Sequence, residues 1–250
     1  MKNEKKLLGV LGGLGPMSTV YFCELITAHT DAQKDSDHID MIISSRASTP
    51  DRTAFILKKS TEDPLPVMRR EADRLTDAGA DLIVIPCNTA HYFYDGLQAT
   101  SKAPILNIIQ ETVLHLHRNG IQKFGLLATE GTVKSGAYHR VCEPLGMTCL
   151  TPTEAEQAQI SSIIYDSVKQ NLPVDWNSFF HITDAMRARG CERLVLGCTE
   201  LSLLKKAGLD DHLFVDSLEV LAYHTILACG KTPVGFPNDF GIRSDKETLS

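Results

Sequence analysis

Apolar and polar positions along the chain alternate between two textures. Short apolar runs stand at 7–11, 39–44, 82–86, 105–108, 123–128, 147–150, 194–196 and 214–216. Runs of this kind, rich in Val, Ile and Leu, suit strands buried on both faces of a sheet. Between most of them lie longer amphipathic stretches, at 18–29, 63–78, 109–118, 133–141, 154–169 and 176–189, with a more apolar one at 217–229. Gly79, Asn119-Gly120 and Gly190 stop three of these helices. Strands alternating with helices at this spacing predict parallel α/β sheets. The loops at 32–37 and 45–53 are polar, and the polar tail after 231 is expected to hold little order.

The pattern also repeats coarsely. A strand with a glycine-bearing turn opens each half, at 8–15 and at 124–131, and roughly 70–80 residues later a strand ends in a cysteine. Two lobes built this way would bring both strand ends to one cleft, where open α/β sheets bind ligands. Within ADLIVIPCNTAH, residues 80–91, Pro86 has no N–H to give a ladder, so the strand ends there with Cys87 at its tip. Asn88 and Thr89 are good N-caps for a helix over 90–97. The stretch RLVLGCTELSLL, residues 193–204, repeats the design with Cys198 at the tip and Thr199 as cap. A thiol between a strand end and a helix N-terminus is favoured as the thiolate.

Composition narrows the chemistry. Hydrophobic residues at 43% and charged residues at 22% allow a sizeable core, and a net charge of -6 without a dense Lys/Arg run argues against a nucleic-acid surface. No segment reads as a signal peptide or a bilayer span. Seven scattered cysteines without a C-x-x-C pair point to a reduced, cytoplasmic chain lacking disulfides. No His or Cys stands at ligand spacing beside either thiol, and His115 and His117 do not share a helix face, so no metal is expected. Gly13-x-Gly15 lacks the third small residue and following acid of a dinucleotide site; Gly13 is read as a tight turn that lets substrate approach the backbone.

Two thiols on one cleft suit proton transfer at carbon: a thiolate removes the proton from one face and a thiol returns one to the other. The amides of Asn88, Thr89, Thr199 and Glu200 are placed to hold a carboxylate gaining enolate-like charge. Either cysteine taken singly is equally a small packing hydrophobe, and only the pair points to chemistry. Glu200 serves either the first turn of its helix or the neighbourhood of Cys198 and a substrate ammonium. His91 is expected to orient the Cys87 turn through a hydrogen bond.

GVLGGLGPMST (9–19), STPDRT (48–53), PCNTAH (86–91), LLATEGT (126–132) and GCTEL (197–201) occur in this order across residues 7–230. Together they resemble the aspartate racemase branch of the aspartate/glutamate racemase family. The first turn, GGLGP, and the Thr-Glu after the second cysteine favour that branch over the glutamate branch. The resemblance implies two similar Rossmann-like (flavodoxin-like) α/β lobes related by pseudo-twofold symmetry, with the active site between them and a homodimer as the assembly. It implies one lobe from residues 1–103 with 213–250, closed by the C-terminal helix, and another from 104–212. It further implies a cofactor-independent enzyme interconverting L- and D-aspartate. Cys87 and Cys198 match the family's catalytic pair. Arg52 in PDRT and Lys169 in YDSVK match positions associated with the side-chain carboxylate, and Thr132 at the end of LLATEGT joins the substrate-binding set. Arg46 lies outside the pattern. Glutamate, or a related dicarboxylic acid such as maleate, remains open as substrate, as does a non-catalytic protein that binds dicarboxylic amino acids.

Overall fold

The computed structural model describes residues 5–206, 208–209, 212–237 and 240. In chain order its first half runs β1 (Leu7–Gly12), α1 (Pro16–Ala28), β2 (Asp40–Ser45), α2 (Arg52–Ile56), α3 (Leu65–Asp77), β3 (Leu82–Val84), α4 (Tyr94–Gln98), β4 (Ile105–Leu106) and α5 (Ile108–Arg118). The second half runs β5 (Lys123–Leu127), α6 (Glu130–Ser135), α7 (Ala137–Cys142), β6 (Thr148–Leu150), α8 (Glu154–Ser162), α9 (Trp176–Ala188), β7 (Arg193–Leu196), α10 (Ser202–Lys206), β8 (Phe214–Asp216) and α11 (Ser217–Ala228).

The strands form two four-stranded parallel sheets, ordered β2-β1-β3-β4 and β6-β5-β7-β8. The order is the same permutation twice, so each half folds into the expected flavodoxin-like lobe. In both, the chain reverses its direction of travel across the sheet between the first and third strands, which is where such sheets open a crevice at their C-terminal edge. The central strands β1, β3, β5 and β7 are almost wholly buried, in keeping with their unbroken apolar runs. Strand β2 is an edge and leaves Asp40, Ile43 and Ser45 exposed.

The expected lobe boundaries at 104 and 213 each fall one strand early. Ile105–Leu106 pairs with β3 and completes the first sheet, while Phe214–Asp216 pairs with β7 and completes the second. The helices that follow these strands, α5 and α11, pack on each other; α5 also meets α7, and α11 meets α1. One apolar core therefore runs across both lobes, joining Val10, Phe22 and Val113 to Phe124, Tyr138, Val215 and Leu221. Each such fully buried side chain contributes about 1.5–3 kcal/mol.

Three further departures have local causes. The helix expected over 133–141 starts at Glu130, capped by the Thr129 side chain, and breaks at Gly136, whose φ of 65° lies in the left-handed region. The helix expected over 154–169 begins with a capping box formed by Thr153 and Glu156, and then widens into a π-helical turn at Ile163–Ser167 before a 3-10 turn at Val168–Gln170. Residues 232–237 are tied down: Val234 donates to His29, Asp31 donates to Thr232, and the ring of Phe236 meets Tyr223 edge-on, with Phe240 tilted against the same ring. Two aromatic rings in an otherwise polar stretch supply the burial that orders it. Residues 238–239 and 241–250 of that tail lie outside the described residues.

Candidate active site

Both cysteine turns reach the same cleft, a space of about 290 Å³ that opens to solvent. Cys87 and Cys198 line it together with Leu14, Arg52, Tyr165, Lys169 and Glu200. Neither thiol forms a disulfide, and both are buried, at 6% and 4% exposure. Among the described residues, no group of three or more His, Cys, Asp or Glu is placed to hold a metal ion.

The Cys87 turn is held from behind by His91. Its Nε2 accepts the Ile108 N–H at 3.3 Å, so the ring proton sits on Nδ1 and donates to the Cys87 carbonyl at 2.8 Å. Burial lowers the His91 pKa to about 4, which keeps the ring neutral and this arrangement intact. The role expected of His91 is the one it has.

Asn88, Thr89 and Thr199 were expected to cap helices; instead they stitch the lobes together. Asn88 Nδ2 donates to Ser217 at 2.9 Å and its Oδ1 accepts from the Tyr138 hydroxyl at 2.7 Å. Ser217 in turn donates to the Leu196 carbonyl, just before the Cys198 turn. The Thr89, Thr129 and Thr132 hydroxyls form a closed ring at 2.9, 2.9 and 3.1 Å. Thr199 donates to the Pro86 carbonyl at 3.3 Å, so the residue after one cysteine is bonded to the residue before the other. These buried groups satisfy one another across the lobes, which fixes the two strand tips relative to each other. The segment after Asn88 is a 3-10 turn, Thr89–Phe93, and the Asn88 side chain caps nothing.

Arg52, expected in a loop, opens α2 and is buried. Its guanidinium donates to the carbonyls of Thr49, Pro50 and Leu14 at 3.3, 3.0 and 3.0 Å, while its buried Nε has no partner among the described residues. A planar donor fixed on one side with a donor to spare suits a carboxylate arriving from the cleft. Lys169 lies 3.6 Å from Glu200 and 4.6 Å from the centre of the Tyr165 ring. Burial works against its charge, but Glu200, the two sulfurs and Tyr165 together hold its pKa above the usual lysine value.

Glu200 is buried between Cys198, whose Sγ donates to its Oε2 at 3.0 Å, and Lys169. Its Oε1 also sits against Gly15: a Cβ there would lie 2.4 Å from it. The two thiols differ as a result. Burial raises the Cys87 pKa, with the Arg52 charge the strongest opposing influence and Glu200 adding a smaller push upward. Burial raises Cys198 further, and here the Glu200 charge and hydrogen bond add to it while Lys169 opposes. The expected thiolate preference from helix N-termini is outweighed by burial. The Ala90 amide favours the charged form of Cys87 and the Glu200 amide that of Cys198, but burial prevails at both.

Two expected site residues stand back from the cleft. Gly13 has φ of 82° and packs on the Arg46–Ala47 backbone, where a Cβ would lie 2.4 Å from the Arg46 nitrogen. Its glycine serves chain crossing rather than substrate approach. Thr132 acts through the threonine ring and does not line the cleft. Arg46 pairs with the buried Glu71 on the β2 side. Lining residues absent from the expectations are Leu14, Asp51, Thr53, Thr129 and Tyr165. Tyr165 had a signal, since it precedes Lys169 by four residues in the same segment; its hydroxyl bonds to Thr53 of the other lobe at 2.9 Å.

A two-lobed α/β chain brings a free thiol from each lobe to one shared cleft, beside the buried Arg52 and the partly exposed Lys169. Residues 11–225 match the sequence model described as Asp/Glu/Hydantoin racemase, and the chain belongs to that family. The broad specificity amino-acid racemase RacX of Bacillus subtilis (strain 168) is 27% identical over 232 residues, covering 88% of this chain and 96% of that one. Picrophilus torridus aspartate racemase is similar in structure, with a TM-score of 0.79 and 29% identity over 91% of this chain and 96% of its own. Glutamate racemase from Francisella tularensis, solved with D-glutamate, shares the fold at a TM-score of 0.63 and 18% identity over 94% of this chain and 90% of its own. Among the described residues, no helix is long and apolar enough to cross a membrane.

Proposed function

We propose that this chain is a cofactor-independent racemase that interconverts L- and D-aspartate by two-base chemistry. The observation that carries the reading is the cleft shared by two unpaired thiols, one from the tip of β3 and one from the tip of β7, with Arg52 and Lys169 beside them. One sulfur removes the α-proton as a thiolate; the other, as a thiol, protonates the opposite face. The roles exchange for the other enantiomer. Arg52 and Lys169 hold the side-chain carboxylate. The turns at Asn88–Thr89 and Thr199 receive the α-carboxylate as it gains charge, held in place by the threonine ring that includes Thr132. Because burial raises both thiol pKa values, the reaction is expected to favour mildly alkaline pH. The thiols must stay reduced, which fits a cytoplasmic enzyme.

The likeness to an aspartate racemase along nearly the whole chain supports aspartate as substrate. The name of the Bacillus subtilis relative favours a second reading, in which several amino acids are accepted. The test is to mix the protein with L-aspartate in deuterated water without added cofactor. Loss of optical activity with deuterium entering Cα is the expected result. Binding without racemisation or exchange would leave only a sensor of dicarboxylic amino acids, and preferential turnover of another amino acid would replace aspartate.

A further inference from the structure

The two thiols occupy equivalent places in equivalent lobes, yet among the described residues only Cys198 has a carboxylate within hydrogen-bond reach. The Sγ to Glu200 Oε2 distance is 3.0 Å, and Glu200 Oε1 lies 3.6 Å from Lys169 Nζ. Glu200 is seated by the bare backbone of Gly15, at the N-terminal end of the thirteen-residue helix α1, where negative charge is favoured. We propose that Cys198, Glu200 and Lys169 form a proton-storing unit on one side of the cleft, with Glu200 a positioning residue that keeps a proton at Cys198. This rests on the racemase reading and deepens it.

With one proton, carboxylate, thiol and ammonium sum to no net charge. When Cys198 acts as the acid, its S–H bond breaks, a C–H bond forms at Cα, and the thiolate left behind is refilled from solvent. When Cys198 acts as the base, its own proton first passes to Glu200 Oε2, breaking S–H and forming O–H. The negative charge then rests on sulfur beside Lys169, the sulfur takes the α-proton as the Cα–H bond breaks, and Glu200 gives its proton up to solvent to restore the one-proton unit. A thiolate and a carboxylate stand 3.0 Å apart only between proton donation to Cα and refilling from solvent. The ionisable groups facing the unit are Tyr165 from the π-helical turn, Cys87 from the opposite strand tip, and Arg52 and Asp51 from the start of α2. Tyr165, with its pKa pushed up to about 12 by burial, stays neutral through the working range.

The measurement is the pH dependence of iodoacetamide alkylation, read separately at Cys87 and Cys198 by peptide mass spectrometry on the full chain without substrate. In the unmodified protein Cys87 should alkylate at lower pH than Cys198. Glu200→Gln should speed alkylation of Cys198 at pH 8 by tenfold or more, and Lys169→Met should slow it. A merely structural role for Glu200 would not give these opposite signs. In racemisation, Glu200→Gln should move the alkaline limb of the kcat/KM profile toward acid by about one pH unit. Unchanged or slower Cys198 alkylation in a folded Glu200→Gln protein overturns the unit. So does a lower alkylation midpoint for Cys198 than for Cys87 in the unmodified protein, which serves if the variant does not fold. If the alkylation shifts occur but no amino acid is racemised, the proton-storing unit stands and the racemase reading fails.

Discussion

The Cys87 turn and the Cys198 turn share a position in the fold but not an electrical environment. Cys87 faces the fixed guanidinium of Arg52 and is braced through its carbonyl by a neutral His91. Cys198 faces a carboxylate, with Lys169 one step further away. A repeated α/β scaffold therefore duplicates where the sulfurs stand, while loops that are not repeated decide how each one holds its proton. The lesson is that symmetry of placement and symmetry of acidity are separate properties.

The bluntest way to break the comparison is to delete either sulfur. Cys87→Ala and Cys198→Ala should each lower kcat by at least ~10³-fold, about 4 kcal/mol of transition-state stabilisation, because neither side can do the other's half of the reaction. A single variant with near-normal racemisation would remove that cysteine from the mechanism. Next in size is Arg52→Met, which takes away the cation on the Cys87 side. Charge-assisted hydrogen bonds are worth about 1.5–3 kcal/mol, so KM should rise ~10–100-fold and Cys87 should alkylate more slowly, with Cys198 little affected. Equal slowing at both sulfurs would erase the distinction drawn between them.

Smaller effects sharpen it. Tyr138→Phe leaves the buried Asn88 Oδ1 without its donor and should cost about 1–2 kcal/mol of stability, seen as a melting temperature lower by about 2–6 °C. The smallest expected effect is the pH dependence contributed by His91. Its folded pKa of about 4 lies below the ordinary value of 6.5, so the folded state favours the neutral ring. That contribution is complete above pH 6.5 and is lost as the pH falls toward 4. Of the stability lost between pH 7 and pH 5.5 in denaturant unfolding, His91 should account for about 1 kcal/mol. His91→Asn should remove that share while leaving the part due to His224, whose pKa burial also lowers to about 4.

Much of this was legible in the residues themselves. An apolar run closed by Pro86 or Gly197 announces a strand tip, and a cysteine directly after it has nowhere else to be; Cys87 and Cys198 followed from that. Arg52 and Lys169 came from motif resemblance and were found beside the sulfurs. The capping roles given to Asn88, Thr89 and Thr199 did not hold, because local propensity is blind to partners such as Tyr138, Ser217 and Pro86 that only folding brings near. Gly13 was misread for the same reason: what crowds it is the backbone at Arg46, some thirty residues away. The lobe boundaries slipped because two- and three-residue strands carry too little pattern to declare which sheet they join.

The π-helical turn at Ile163–Ser167 carries a consequence of its own. It adds slack of one residue to the loop of hydrogen bonding just ahead of Lys169, and each residue on a regular helix turns the next by about 100°. Spacing in this stretch, as much as the presence of a lysine, therefore aims the ammonium at the cleft. A relative with the same YDSVK letters but one residue fewer upstream would swing that cation away, and counting the gap is the better guide to whether it shares this chemistry.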